Sequence, residues 1–156
     1  MKLKYLILHC SDEPNDRKTK GSDILRWHTS PKPKGRGWKK AGYEQVVRRD
    51  GTIDILYQND ANGIVDGFEV TNGARGFNSE SRHICLIGGV DKYGDSDLEM
   101  TDNQHDSLVG IVKDAIVECP DIKIGGHYNF SSKTCPNFNV QAWLRYIGVS
   151  EDNIKK

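Results

Sequence analysis

The apolar positions of the chain fall into short uninterrupted runs and one long amphipathic stretch. Residues 5–8 are apolar with no breaker among them, which predicts a buried first strand. The segment "HICLIGG", residues 83–89, is a second such run and predicts a central strand, and residues 122–124 predict another short one. The segment "YEQVVRRDGTIDILY" predicts a β-hairpin, because its two β-prone runs meet at Asp50-Gly51, a pair that tolerates positive φ in tight turns.

The clearest helix is predicted over residues 101–118, "TDNQHDSLVGIVKDAIVE". Thr101 and Gln104 have the spacing of a capping box, which satisfies backbone N–H groups at a helix start. Pro120 ends the pattern, because proline cannot continue a helix. One face of this helix carries an apolar stripe of the kind that packs on a sheet: Leu108, Ile111, Val112, Ala115 and Ile116.

Two shorter helices complete the prediction. Ser22 is predicted to cap a helix over residues 22–28, and Asn139 to cap a last helix that ends before Gly148. Helices and strands are therefore interspersed along the chain. This order predicts an α/β fold with one central mixed β-sheet flanked by helices.

The length of 156 residues is typical of one domain with a proper core. We assign residues 1–150 to that domain and expect residues 151–156, "EDNIKK", to be a disordered C-terminal tail. The composition includes 22 basic and 22 acidic side chains, with zero formal charge. This balance argues against a nucleic-acid binder that depends on a broad basic face.

The sequence predicts no membrane span and no signal peptide. No stretch approaches the roughly 18 apolar residues that a spanning helix needs. The apolar run near the N-terminus is too short for the core of an export signal. The four cysteines, Cys10, Cys85, Cys119 and Cys135, show no CxxC spacing, so free thiols or metal ligands are favoured over disulfides.

Candidate chemistry is concentrated in "GGHYNFSSKTCPNF", where His127 and Cys135 flank a loop that contains Lys133. His9 ends the first predicted strand, and His127 follows another. If those strands are neighbours, two imidazoles and a thiolate can share a Zn²⁺ ion and leave its fourth position open for water. The spacing alone leaves an alternative open, in which each histidine is only a hydrogen-bonded polar residue at a strand end.

Several segments occur in an order that resembles a known family: "LHCSDE", "RWH", "GYEQVVRRDGT", "GARGFNSES" and "GHYNFSSKTCPNF". Together they resemble the type 2 N-acetylmuramoyl-L-alanine amidases, which include phage amidases and the peptidoglycan recognition proteins. The resemblance spans residues 5–148. It implies a mixed sheet flanked by helices, a zinc site in a surface groove, and hydrolysis of the amide between N-acetylmuramic acid and L-alanine.

The resemblance also implies roles for individual residues. The zinc ligands fall on His9, His127 and Cys135, and the catalytic tyrosine and lysine fall on Tyr43 and Lys133. Zn²⁺ is the implied cofactor and bacterial peptidoglycan the implied partner, with a monomer expected. A chain of this kind is made in the bacterial cytoplasm and acts on the cell wall after release or export.

This chain departs from the family pattern at three places. Glu44 stands where the family has histidine, and it is expected either to assist the site, as a general base, a partner of the metal ligands or a substrate contact, or to be a solvated carboxylate. Gly73-Ala74 replaces a His-Ala pair, so a groove histidine is missing, and Arg82-His83 replaces Ile-Gly. Residues that match a family stretch near the groove are expected either to contact substrate or only to shape their loop: Arg75, Phe77 and Asn78.

Two other functions compete with the zinc amidase. One is a module that binds peptidoglycan without cutting it; Cys135 favours the enzyme, because members that only bind commonly lack this ligand. The other is a thiol hydrolase with Cys135 as nucleophile and His127 as base. The loop that carries Arg36 and Trp38 is rich in lysine and proline, and is either a cationic rim for an anionic polymer or a solvated loop.

Overall fold

The computed structural model describes all 156 residues as an α/β fold with two sheets and three α-helices. No helix combines the length and the apolar character needed to cross a membrane. The strands are β1 (Tyr5–Cys10), β2 (Glu13–Pro14), β3 (Gln45–Val47), β4 (Ile53–Ile55), β5 (Ser81–Leu86), β6 (Gly89–Val90) and β7 (Lys123–Gly126). The helices are α1 (Gly21–Thr29), α2 (Asp102–Glu118) and α3 (Val140–Tyr146).

The main sheet has five strands in the order β4-β3-β5-β1-β7. Strands β3, β5, β1 and β7 run parallel to one another, and β4 pairs antiparallel with β3 through the predicted hairpin. Gly51 in its turn has a φ of 87°, which explains the glycine there. The predicted mixed sheet flanked by helices, with β5 at its centre, is confirmed.

The two faces of the sheet bury different sets of side chains, because neighbouring residues of a strand point to opposite faces. Leu6, Leu8 and Ile84 face the larger core, where the apolar stripe of α2 packs through Leu108 and Val112. The other face carries a smaller cluster with Cys85, Val46 and Ile87, which packs against Ile24 of α1. The candidate chemistry lies on this second face.

The capping box of α2 is confirmed, but the predicted cap of α1 is wrong. The Thr101 hydroxyl accepts from the Gln104 N–H at 3.0 Å, and the Gln104 side chain accepts from the Thr101 N–H. Helix α1 begins one residue before Ser22, at Gly21. The Gly21 N–H donates to the Asp54 carboxylate of β4 at 2.8 Å, a contact between distant residues that local sequence does not reveal.

The expected disorder of residues 151–156 is also wrong. Ile154 is 3% exposed and pairs in parallel fashion with Ile124 of β7. The Asn153 amide donates to the carbonyls of Pro120 and Ile122 at 2.8 and 2.9 Å. The segment folds because its one apolar side chain reaches the core while its backbone covers the free edge of β7.

Candidate metal centre and active site

Parallel pairing of β1 with β7 brings two histidines together. Leu8 lies opposite Gly126, so the residues that follow them, His9 and His127, are neighbours at the carboxyl ends of their strands. Their ring centroids are 4.6 Å apart. Cys135 approaches from the following loop, with its Sγ 3.9 Å from Nδ1 of His9. One ligand atom from each of the three residues lies within 4.8 Å of the other two.

Backbone and amide hydrogen bonds hold the loop that carries Cys135. The Tyr128 N–H donates to the Cys135 carbonyl at 2.9 Å, and the Cys10 N–H donates to Cys135 Sγ at 3.2 Å. The Asn137 amide donates to the Asp12 carboxylate and to the Gly89 carbonyl at 2.9 and 2.8 Å. The sulfur is therefore held beside β1, where it accepts a hydrogen bond from the backbone.

The electrostatic environment keeps both histidines neutral. Burial lowers the pKa of His9 well below its usual range, and the neighbouring imidazoles and Lys133 lower it further. Burial and the charge of Lys133 also lower the pKa of His127. Neutral imidazoles keep a lone pair for a metal ion, so both rings are ready to act as ligands at neutral pH.

The residues present fit a tetrahedral divalent cation of intermediate softness. Zn–N bonds of about 2.0–2.1 Å and a Zn–S bond of about 2.3 Å place tetrahedral ligand atoms roughly 3.4–3.6 Å apart. The 3.9 Å between Cys135 Sγ and His9 Nδ1 is close to that separation. A tetrahedral ion held by these three side chains would have its fourth position free for water or substrate.

That groove has a volume of about 630 Å³, and Tyr43, Lys133, His127 and Cys135 all line it. The Tyr43 ring lies 4.9 Å from the His9 ring, centroid to centroid. Burial raises the pKa of Tyr43 well above its usual range, so its hydroxyl keeps its proton at neutral pH. Lys133 is exposed at the groove surface, where its ammonium group is free to meet a ligand.

Two residues of the basic loop form part of one wall of the groove. Arg36 and Trp38 line the groove, and the Arg36 guanidinium lies 4.9 Å from the Trp38 ring centroid. Trp38 in turn packs on His28 at 4.9 Å. The His28 Nδ1 accepts from the Gly42 N–H at 3.0 Å, which ties this wall to the residue before Tyr43.

Glu44 lies outside the groove, and both of its expected roles are corrected. It follows Tyr43 in the chain, so its side chain points to the opposite side, next to Arg82 and Glu118. It is 3% exposed, and Asn59 donates to it at 3.4 Å. Glu44 is therefore neither a partner of the metal ligands nor a solvated carboxylate.

The other three expected substrate contacts are also absent from the groove lining. Phe77 packs edge-on against Tyr5 and Phe130, with ring centroids 5.9 and 5.0 Å away. Asn78 Oδ1 accepts from the Ala74 N–H at 2.8 Å, and Arg75 is exposed. The structure supports the loop-shaping interpretation for Phe77 and Asn78.

One residue in contact with a candidate ligand is not predictable from the sequence pattern alone. His83 of β5 is fully buried, and its Nδ1 lies 3.0 Å from His9 Nε2. The departure from the family pattern at Arg82-His83 marked this residue as unusual but did not indicate its contact with His9. Only the register of β5 against β1, which places Ile7 opposite His83, puts that residue beside His9.

Known proteins resemble this chain over most of its length. Residues 1–138 match the family described as N-acetylmuramoyl-L-alanine amidase. The endolysin of Enterobacteria phage K11 is 30% identical over 139 residues, which cover 89% of this chain and 83% of that protein. The endolysin of Escherichia phage T7 is 28% identical over 138 residues, which cover 88% of this chain and 83% of that protein.

Solved structures show the same fold. The Ph2119 endolysin from the Thermus scotoductus MAT2119 bacteriophage has a TM-score of 0.73 at 21% identity, and the match covers 96% of this chain and 87% of that one. The chain belongs to the N-acetylmuramoyl-L-alanine amidase family. It is accordingly an amidase of the class that acts on peptidoglycan.

Proposed function

We propose that this chain is a zinc-dependent lytic enzyme that hydrolyses the amide between N-acetylmuramic acid and L-alanine. Like the phage endolysins that it resembles, it reaches the cell wall after release or export. The observation that carries the proposal is the convergence of His9, His127 and Cys135 beside Tyr43 and Lys133 at one groove.

Zinc is the metal proposed because two imidazoles and a thiolate suit its borderline softness. Magnesium and calcium prefer oxygen ligands, and none of these three side chains supplies oxygen. When bound, the ion polarises a carbonyl and lowers the pKa of a coordinated water towards about 7. His9, His127 and Cys135 would hold it, with the groove side left open to water and substrate.

Tyr43 is proposed to orient the reacting groups. Its ring packs against that of His9, and its phenol keeps its proton because burial raises its pKa. A phenol in this place can donate a hydrogen bond to the oxygen of the amide carbonyl as charge develops there. Such a donor is most useful in the transition state, since the charge that it meets is largest there.

Lys133 is proposed to stabilise the same oxyanion as a cation. It lies two residues before Cys135 on the loop fixed by Asn137, so its backbone is held near the candidate ligands. Its charge already acts on both histidines, whose pKa values it lowers. Removal of one such electrostatic contact typically costs about 10²–10³-fold in rate.

The groove walls suit a glycan with a peptide attached. Trp27 and Trp38 offer aromatic surface for a sugar ring, and Arg36 offers a cation for a carboxylate. An extended polymer requires an open groove rather than a closed pocket. We therefore propose that these side chains bind the muramic acid and its stem peptide on either side of the scissile amide.

The test is digestion of purified peptidoglycan, followed by mass spectrometry of the products. The expected result is release of peptides with new alanine amino termini, loss of activity with a chelator, and recovery when zinc is returned. Cleavage between sugars, or activity indifferent to chelation, would contradict the proposal.

Matched cysteine variants sharpen this test. Cys135→Ser is expected to abolish hydrolysis and to weaken zinc binding without eliminating it, whereas Cys119→Ser, at a buried site in the larger core, keeps both unchanged. Binding to walls by the wild type without any new amino termini would favour the binding module. Rapid alkylation of Cys135 in the zinc-loaded enzyme would favour the thiol hydrolase, because a metal-bound thiolate is protected.

A further inference from the structure

The direction of the hydrogen bond between His83 and His9 follows if His9 Nδ1 serves as a metal ligand. His83 Nδ1 and His9 Nε2 are 3.0 Å apart in a fully buried place, so one of the two nitrogens donates and the other accepts. The remaining nitrogen of His9, Nδ1, faces Cys135 Sγ at 3.9 Å. Only one choice leaves that Nδ1 with a free lone pair on a neutral ring: His9 donates through Nε2, and His83 accepts.

This arrangement leaves an unusual group behind. A neutral His83 that accepts at Nδ1 carries its proton on Nε2, and that nitrogen is buried with no hydrogen-bond partner in the protein. Buried polar groups are nearly always paired, so an unpaired one calls for a reason. The hydrogen bond that His83 accepts from His9 provides that reason. A neutral imidazole has only one acceptor nitrogen, so when Nδ1 accepts, the proton must lie on Nε2.

Gly73 makes room for the His83 ring. A Cβ at position 73 would lie 2.4 Å from His83 Nδ1 and 2.6 Å from the Gly42 carbonyl, closer than real contacts allow. A side chain at position 73 and the imidazole of His83 therefore exclude each other. The two departures from the family pattern are therefore complementary. The loop has glycine at position 73, without a side chain, where β5 places the imidazole of His83.

We propose that His83 is a positioning residue that fixes the tautomer and orientation of His9, so that Nδ1 of His9 is presented to the metal. The inference rests on the proposed function for the metal itself, because it takes His9 Nδ1 to be a ligand. Outer partners of metal-bound histidines act in this way, and their loss typically lowers metal affinity by about 10–100-fold. His83 itself touches neither the substrate nor the metal.

Two substitutions of nearly equal shape separate hydrogen bonding from packing. His83→Asn keeps an oxygen acceptor three bonds from Cα, as Nδ1 of histidine is, whereas His83→Leu has the same branching without an acceptor. Long-range proton–nitrogen NMR correlations of the zinc-free protein report the His9 tautomer directly. Competition with a chromophoric chelator reports the affinity for zinc chloride, and thermal unfolding shows whether each variant is folded.

The wild type is expected to hold His9 with its proton on Nε2. His83→Leu is expected to lose that preference and to bind zinc about 10–100-fold more weakly, while His83→Asn restores both to within a few-fold. Equal zinc affinity and an unchanged tautomer in His83→Leu would overturn the inference, as would an Asn variant no better than Leu.

The tautomer measurement needs no metal and no substrate. If the wild type bound no zinc, the proposed function would fail, while the His9 tautomer in wild type and His83→Leu would still decide whether His83 directs that ring. If either variant were unfolded, comparison of the tautomer in Gly73→Ala would take its place. That change pushes the His83 ring from its position and is expected to weaken the preference in the same direction.

Discussion

Replacement of Glu44 by glutamine is expected to stabilise the fold in a pH-dependent way. The carboxyl is buried beside Arg82, but that guanidinium already pairs with Glu118 at 2.5 Å and lies 3.9 Å from Glu69. One cation thus serves several acids. Burial raises the pKa of Glu44 to about 7, and the opposing attraction of Arg82 only partly offsets this.

The size of the effect follows from the difference between the folded and unfolded pKa values. The ordinary value is 4.5 and the folded value about 7, a difference of about 2.5 units, or roughly 3.4 kcal/mol at 1.36 kcal/mol per unit. Between these values the folded chain binds more protons than the unfolded chain, so stability falls as pH rises. The contribution of the protonated carboxyl to the free energy of unfolding is fully present below pH 4.5 and is lost as the pH rises through about 7.

Urea unfolding at two pH values measures this directly. The gain in unfolding free energy of Glu44→Gln over the wild type is expected to be below about 1 kcal/mol at pH 5 and near 3 kcal/mol at pH 8. Glu99→Gln, at an exposed position, controls for the loss of one negative charge. An equal gain at both pH values, or a loss at pH 8, would refute the reasoning.

Three further substitutions test other parts of the account. Lys133→Met is expected to lower kcat about 10²–10³-fold while leaving zinc affinity within a few-fold of wild type. Product release measures the first quantity and chelator competition the second. A parallel loss of zinc affinity would assign Lys133 to metal binding instead. Thr101→Ala removes the cap of α2 and is expected to lower the free energy of unfolding in urea by about 1 kcal/mol. Thr101→Ser keeps the hydroxyl and should lower it much less. Equal losses in the two variants would contradict the capping explanation. Ile154→Ala is expected to cost about 2–4 kcal/mol because that side chain is buried against β7, and an unchanged midpoint in thermal unfolding would mean that the C-terminal segment adds no stability.

Local patterns predicted the parts of the fold that local forces determine. The capping box of Thr101 and the turn at Asp50-Gly51 need only neighbouring residues, and both occur as expected. Ile154 shows the limit of composition, because five polar residues around one isoleucine indicated disorder. That isoleucine is buried only because an edge strand lies within its reach.

The candidate site was predictable as a set of residues but not as an arrangement. The family resemblance implied His9, His127 and Cys135, and the pairing of β1 with β7 brings the two histidines together. The direction of Glu44 and the contact of His83 with His9 depend on strand register, which a single sequence does not specify. Both residues are buried polar groups, the class whose partners come from distant segments.

X-ray absorption spectroscopy of the zinc-loaded protein tests the central claim most directly. The account predicts one sulfur at about 2.3 Å and nitrogen or oxygen atoms at about 2.0–2.1 Å, with four ligands in all. The sulfur should vanish in Cys135→Ser and persist in Cys119→Ser. A zinc ion surrounded only by oxygen and nitrogen in the wild type would contradict the account.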